Sequence, residues 1–258
     1  MGFLRTLRGA LAFIAALLWM GGPCAVVLYP FVLPVGLLLR GDKRRALVSW
    51  FMRLVVRGLL FFFRLGGARF RWSDRIPTSA PCLVLMNHQS QIDILIATMM
   101  GDPYVPVFSP RARYAHWFVP LIGPTIRLLE CPIVDPKRDA RGSIEAMRRA
   151  GLDNRHGILI FPEGHRSLDG EVRPFRTAGT VACLEARRVP VYLVVTDGYW
   201  RGRRLVDFLG NVPLLDGRTD LLGPFEPPAD VAALPAFVED MRRRIVEHLA
   251  AARRREAA

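Results

Sequence analysis

The sequence predicts an α/β fold: a mixed, largely parallel sheet flanked by helices, preceded by an N-terminal hydrophobic helical membrane motif. Three observations predict it. From residue 81 onward, short apolar runs end in polar corners and give way to helical stretches, the rhythm of alternating strands and helices. At 258 residues and 51% hydrophobic content, the chain can bury the core of one sizeable domain, or of a domain with an appendage. Residues 9 to 39, GALAFIAALLWMGGPCAVVLYPFVLPVGLLL, hold no charged side chain. An exposed chain start does not ordinarily look like this. The expected division is a membrane-associating helical segment over 1–67 and the α/β domain over 68–258.

The first element is that apolar run. A cleaved signal peptide would begin with charges such as Arg5 and Arg8, yet the run is too long and no small-residue cleavage pattern closes it. Gly21-Gly22-Pro23 divides it into pieces of about 12 and 16 residues, roughly 18 and 24 Å of helix, each shorter than the ~30 Å hydrocarbon core. Arg5 and Arg8 precede the run, and Arg40, Lys43, Arg44 and Arg45 follow it. By the positive-inside rule both ends belong on the cytoplasmic face of the cell inner membrane. The break predicts a helical hairpin dipping into one leaflet, with a single kinked span as the alternative.

The next element, residues 46 to 67, carries Arg53, Arg57 and Arg64 on one helical face among Trp50, Phe51, Phe61, Phe62 and Phe63. A charged stripe is commonly a solvated face. With these aromatics it reads as an interfacial helix facing an anionic leaflet. This gives the net charge of +13 a membrane partner. No helix-turn-helix, zinc-finger or aromatic RNA-binding pattern accompanies the charge, so nucleic acid is not expected as a partner. Cys24, Cys82, Cys131 and Cys183 show no paired spacing, which fits a reducing setting and neither a zinc cluster nor a disulfide framework.

Three corners carry the chemistry. CLVLM (82–86) ends at Asn87-His88, CPIV (131–134) at Asp135, and GILIF (157–161) at Pro162-Glu163. In a parallel sheet the carboxyl ends of the strands share an edge, so these corners can converge. A histidine beside a buried strand is more often structural than catalytic, but Asp93 alters the balance. A carboxylate on one ring nitrogen fixes the tautomer and leaves the other as a base. Five residues of separation would put the two side chains roughly 140° apart on one helix, so His88 must sit in the turn before it. Asn87, Ser90 and Gln91 suit such a turn. The plainer account of Asp93 is a first-turn carboxylate stabilised by the helix dipole. No Ser or Cys stands in a nucleophile elbow, so the substrate would supply the attacking hydroxyl.

In FPEGHRSLDG (161–170), Arg166 offers a planar fork for phosphate, and Glu163 could accept from a hydroxyl or hold Arg166. Alone, this stretch would read as a surface turn with one internal ion pair.

Together these stretches resemble the glycerolipid acyltransferases of the 1-acylglycerol-3-phosphate acyltransferase type. The family's Asn-His, four residues, Asp motif is matched by Asn87, His88 and Asp93, and its Phe-Pro-Glu-Gly-Thr-Arg-Ser motif by FPEGHRS, with His165 in place of Thr. Val189-Pro190-Val191 is similar to a late family element, and the likeness covers roughly residues 60 to 200. CPIVDPKRD departs from the family by inserting Pro136, which leaves Lys137 and Arg138 as basic candidates. The resemblance implies that His88 acts as general base and Asp93 orients it. It further implies that Glu163, Gly164, Arg166 and Ser167, with Lys137 or Arg138, bind the acceptor. The implied acceptor is 1-acylglycerol-3-phosphate; a lyso-ornithine lipid, another lysophospholipid or glycerol 3-phosphate are alternatives. Acyl-CoA or acyl-acyl carrier protein would be the donor, with no metal or other cofactor. A non-catalytic membrane-binding protein would leave both motifs as coincidence.

Overall fold

The computed structural model describes residues 2–72 and 74–257. Its main sheet has six strands in the order β1 (Arg69–Trp72), β8 (Asp216–Phe225), β7 (Val191–Asp197), β3 (Cys82–Met86), β6 (Gly157–Ile160), β5 (Val107–Phe108). All neighbours pair parallel except β7 and β8, which run antiparallel. Strands β2 (Ile76–Pro77) and β4 (Gly101–Asp102) form a separate parallel pair. The sheet is thus mixed and mostly parallel, with helices on both faces.

The central strands are buried along their whole length, because both faces are covered. Alternation along β3 divides the core in two. Val84 and Met86 point into a cluster with Val56, Leu60 and Phe63 of the helix Gly41–Leu65 and with Ile92 and Ile96 of the helix Ile92–Met100. Leu83 and Leu85 point the other way, toward Met147, Leu184, Val238 and Ile245 of the helices Ala140–Asp153, Thr177–Ala186 and Leu234–Ala257. This two-sided burial fixes the register, since a slip of one residue would exchange the two sets.

The N-terminal expectation needs correcting. The chain does not reverse at Gly21-Gly22-Pro23; one helix runs from Gly2 to Leu38. It is α-helical over Gly2–Trp19 and opens into π turns at Met20–Cys24 and Leu28–Val32, which hold Pro23 and Pro30. A π turn is wider than an α turn, so the ring of a proline and its missing N–H are accommodated without breaking the helix. The reversal lies instead at Leu39 and Arg40, both extended, and at Gly41, whose φ of 54° is left-handed. The helix Gly41–Leu65 then packs antiparallel to the first, Arg8 reaching the carbonyl of Leu65, and Leu28 sharing a cluster with Phe51.

The arginine stripe is also not as expected. Arg53 donates to the carbonyl of Gly101, and the Arg64 guanidinium lies over Phe70 and Trp72 at 5.8 and 5.7 Å. Two of the three cations are therefore turned onto the α/β domain. The two helices and the domain share one core, in which Phe13 and Phe63 stack on Phe208 at 5.8 and 5.3 Å.

Gly58 allows the helix pair to approach. The Trp19 indole crosses it and donates to the carbonyl of Val55 at 3.1 Å, and a Cβ at position 58 would fall 2.2 Å from Trp19 Nε1. Gly58→Ala should displace the indole and cost about 1–3 kcal/mol. A lowered denaturation midpoint and a tryptophan emission shift absent from Trp19→Phe would register it. An unchanged midpoint would show that the indole moves freely.

Candidate active site

The site is built where β3, β6 and β7 end. Register places Met86 beside Val194 and Leu85 beside Ile160, so the polar residues that follow emerge together. Asn87 leaves the sheet first. Its side-chain amide replaces a strand pairing, donating to the Thr196 carbonyl and accepting from the Thr196 N–H, both at 2.8 Å. This lets the chain turn while β7 continues.

His88 occupies that turn, and the helix begins only at Ile92, which removes the geometric objection to pairing with Asp93. Nδ1 lies 2.8 Å from Asp93 Oδ2. The same oxygen accepts the N–H groups of Gln89 and Ser90, each at 2.7 Å. A carboxylate can only accept, so Nδ1 carries the proton and Nε2 is the basic nitrogen. Asp93 is fully buried, while the His88 side chain keeps 14% exposure, and Phe161 stacks on the imidazole at 4.0 Å.

The FPEGHRS turn grips His88 through its main chain. The His88 N–H donates to Glu163 Oε1 at 2.7 Å, and its carbonyl accepts from the Ser167 N–H at 2.7 Å. Gly164 sits between them at φ 72°, where a side chain would be strained and would press on Arg176.

Glu163 departs from its expected part. It is 1% exposed, and its second oxygen accepts the Arg173 N–H at 2.9 Å, so it binds main chain and makes no ion pair with Arg166. Burial pushes its pKa up to about 7, against the opposing bonds from the Arg173 and His88 N–H groups. Ser167, also buried, spends its hydroxyl on Asp169 and on the Gly170 N–H. Arg166 is half-buried and donates to the carbonyl of Arg203 at 2.5 Å. Burial lowers its pKa, and Arg203 and Arg113 contribute to the lowering.

Lys137 and Arg138 are exposed in the tight turn between Asp135 and Asp139. Among the described residues, their side chains make no hydrogen bond or ion pair with the His88 corner. A different cation reaches it: Arg111, bridged in parallel to Val134, donates to the Gly164 carbonyl at 2.9 Å. Nothing in the sequence separates Arg111 from the many other arginines. Gln89, by contrast, stands in the polar interruption itself and was readable there as a polar residue without an assigned role. Burial pushes the thiols of Cys82, Cys131 and Cys183 up to about 12, so none of them is an activated nucleophile.

Because Glu163 takes up a proton on folding, its contribution to stability is complete below its ordinary pKa and is lost as pH rises through about 7. The stability advantage of wild type over Glu163→Gln should therefore shrink between about pH 4.5 and 7. At low pH the substitution should cost about 1–3 kcal/mol, because an amide cannot accept from both N–H groups. Parallel pH-dependent curves for the two proteins in denaturant titrations would contradict this.

The family model described as Acyltransferase matches residues 68–196, half of the chain. Among curated relatives, the chloroplastic 1-acyl-sn-glycerol-3-phosphate acyltransferase BAT2 of Brassica napus is 29% identical over 129 residues, covering 48% of this chain and 36% of that protein. The 1-acyl-sn-glycerol-3-phosphate acyltransferase of Pseudomonas aeruginosa is 26% identical over 160 residues, covering 59% of this chain and 60% of that one. The chain thus spans about a third to three-fifths of the length of these relatives. The crystal structure of the 1-acyl-sn-glycerophosphate (LPA) acyltransferase from Thermotoga maritima shares the fold, with a TM-score of 0.69 at 22% identity over 97% of this chain and 98% of that one. The family match begins at the residue before β1 and closes on Thr196, the residue to which Asn87 is zipped, so it takes in both motifs and the strands that bring them together: the chain belongs to the acyltransferase family.

Proposed function

We propose that this chain is a membrane-bound enzyme that moves a fatty acyl chain from an acyl thioester to the free hydroxyl of 1-acylglycerol-3-phosphate, making phosphatidic acid. The observation that carries the reading is the His88 imidazole, with Nδ1 committed to Asp93 and Nε2 left as a base, while burial keeps the described thiols Cys82, Cys131 and Cys183 from serving as nucleophiles. In this scheme Nε2 takes the proton of the acceptor hydroxyl as its oxygen attacks the thioester carbonyl. The C–S bond then breaks, and the imidazolium returns the proton to the departing thiolate. Asp93 holds the tautomer and stabilises the imidazolium.

Arg166 and the nearby Arg111, Arg113 and Arg203 supply positive charge for the acceptor phosphate, with Lys137 and Arg138 further out. Gly164 and Ser167 shape the turn that presents Arg166, and Glu163 fixes it to His88. The acceptor identity is supported by the names that the relatives share. The donor is acyl-CoA or acyl-acyl carrier protein.

We read the two N-terminal helices as the membrane attachment. Both are long and apolar enough to cross a membrane by length and composition. The first touches the domain near both ends, through Arg5 and Gly9 at Pro213 and through Gly36 at Leu128. Its outward residues Phe3, Leu4, Leu11, Phe31 and Leu38 are exposed. A helix laid along its own domain cannot also pass through a bilayer, so the reading is attachment to one leaflet on the cytoplasmic face of the inner membrane.

His88→Ala, purified in detergent and given both donors and a panel of lysolipid acceptors with glycerol 3-phosphate, should lose ~10²–10⁴-fold in turnover while remaining folded. Asp93→Asn should lose most activity too, since an amide can favour the wrong tautomer. Near-normal product by mass spectrometry from His88→Ala would end this mechanism.

Single cysteines at positions 2 and 42, in an otherwise cysteine-free protein, should both resist a membrane-impermeant thiol reagent in intact cells and react once the cells are opened. Labelling of position 2 alone would establish a span instead.

A further inference from the structure

The C-terminal helix Leu234–Ala257 lies outside the 68–196 stretch that defines the family match, yet one of its side chains enters the corner that carries His88. Arg253 Nε donates to Asp197 Oδ2 at 2.6 Å, and Nη2 donates to Asp197 Oδ1 at 3.0 Å, a side-on bidentate pair. Nη2 also donates to the Gly170 carbonyl at 2.9 Å, and Nη1 to Glu171 Oε1 at 2.5 Å. The guanidinium therefore ties the end of β7 to the loop that follows FPEGHRS.

The same two acceptors seat Gln89. Its Nε2 donates to Asp197 Oδ1 and to the Gly170 carbonyl, both at 3.1 Å, and its Oε1 accepts the Tyr199 N–H at 3.2 Å. Gln89 is 1% exposed and follows His88 directly. Its N–H is one of the groups that hold Asp93 Oδ2. A buried amide with all its bonds made has one orientation, and displacing either acceptor would leave a donor unpaired in the interior. Burial works against the Asp197 charge, and Arg253 and Gln89 outweigh it, holding the carboxyl below its usual range. Gly170, at φ 87° under the Trp200 ring, has the backbone freedom to present its carbonyl to both donors.

We infer that Arg253 is a positioning residue for His88: it fixes Asp197 and Gly170, these seat Gln89, and Gln89 sets the turn on which the imidazole stands. The inference rests on the proposed role of His88 as general base. It assigns to a side chain more than fifty residues beyond the family match a part in turnover rather than in substrate binding.

The test uses the full chain in detergent, with acyl transfer and amide hydrogen exchange measured on the same preparations. Arg253→Gln should lower kcat on the order of 10- to 100-fold, with both KM values within about twofold, because a small misplacement of the base acts on the chemical step. Arg253→Lys keeps the charge without the fork and should recover part of the loss. Arg254→Gln removes the neighbouring, exposed charge and should behave as wild type. In Arg253→Gln, exchange should accelerate at residues 87–91 and 168–171 while β7 residues 191–195 stay protected. An unchanged kcat, unchanged exchange at 87–91, or faster exchange spread over the whole sheet would each overturn the inference. If wild type acylated none of the acceptors, the general-base reading would fall, and the exchange measurement would still decide whether Arg253 holds the Gln89 turn.

Discussion

The peptide of His88 is held at both ends by one turn of the chain, its N–H by the Glu163 carboxylate and its carbonyl by the Ser167 N–H. A side chain on a loop could swing through several ångströms. One whose own peptide is bonded to a second strand end cannot, and the imidazole inherits that fixity. Everything else at the site is arranged around this constraint. Asn87 ties the preceding residue to β7, Asp93 gathers the next two N–H groups, and Phe161 closes one face of the ring. Each added bond removes a direction in which the imidazole could drift.

Holding the turn in this way is costly. Glu163 is buried, and its pKa of about 7 records how strongly burial opposes its charge. A glutamine would avoid that opposition but would turn its NH2 group toward one of the two N–H groups, which meet different oxygens of the carboxylate. The carboxylate accepts from main chain, and the nearby cations Arg166 and Arg111 are held by backbone carbonyls instead. Glu163 and Arg166 form no ion pair, so neither charge neutralises the other. The observed separation keeps the carboxylate inside and the guanidinium available.

The N-terminal helices follow a related logic. Their inner side combines apolar contact, through Phe13, Val56, Leu60 and Phe63, with polar ties to the domain, and their outer side keeps large apolar residues. Arg5, Arg53 and Arg45 donate to the backbone carbonyls of Pro213, Gly101 and Val105, while Phe3, Phe31, Trp50 and Phe61 are exposed. Asp42 meets His156 at the start of the second helix, 3.0 Å from Nε2. The helix pair is thus apolar both where it meets the domain and over much of its outer surface, a surface of the kind that suits a lipid phase.

Several features were legible in the sequence because they depend on neighbours along the chain. The unbroken apolar runs of β3 and β6 follow from strands covered on both faces, the Asn-His to Asp spacing from a strand-to-helix turn, and Gly164 from a turn that needs a left-handed residue. Other features depend on partners that no local pattern can name. Whether Pro23 breaks a helix or is absorbed in a π turn depends on what packs beside it, here the helix Gly41–Leu65. Whether Glu163 meets a guanidinium or a peptide 75 residues away depends on how β3 and β6 are registered. The arginines are chemically alike along the sequence, and only the fold decided that Arg111 and Arg253 reach the site while Lys137 and Arg138 remain on the surface. Hydrogen bonds between segments far apart in sequence are selected by the packing of the sheet and its helices, and that packing is a property of the whole chain at once.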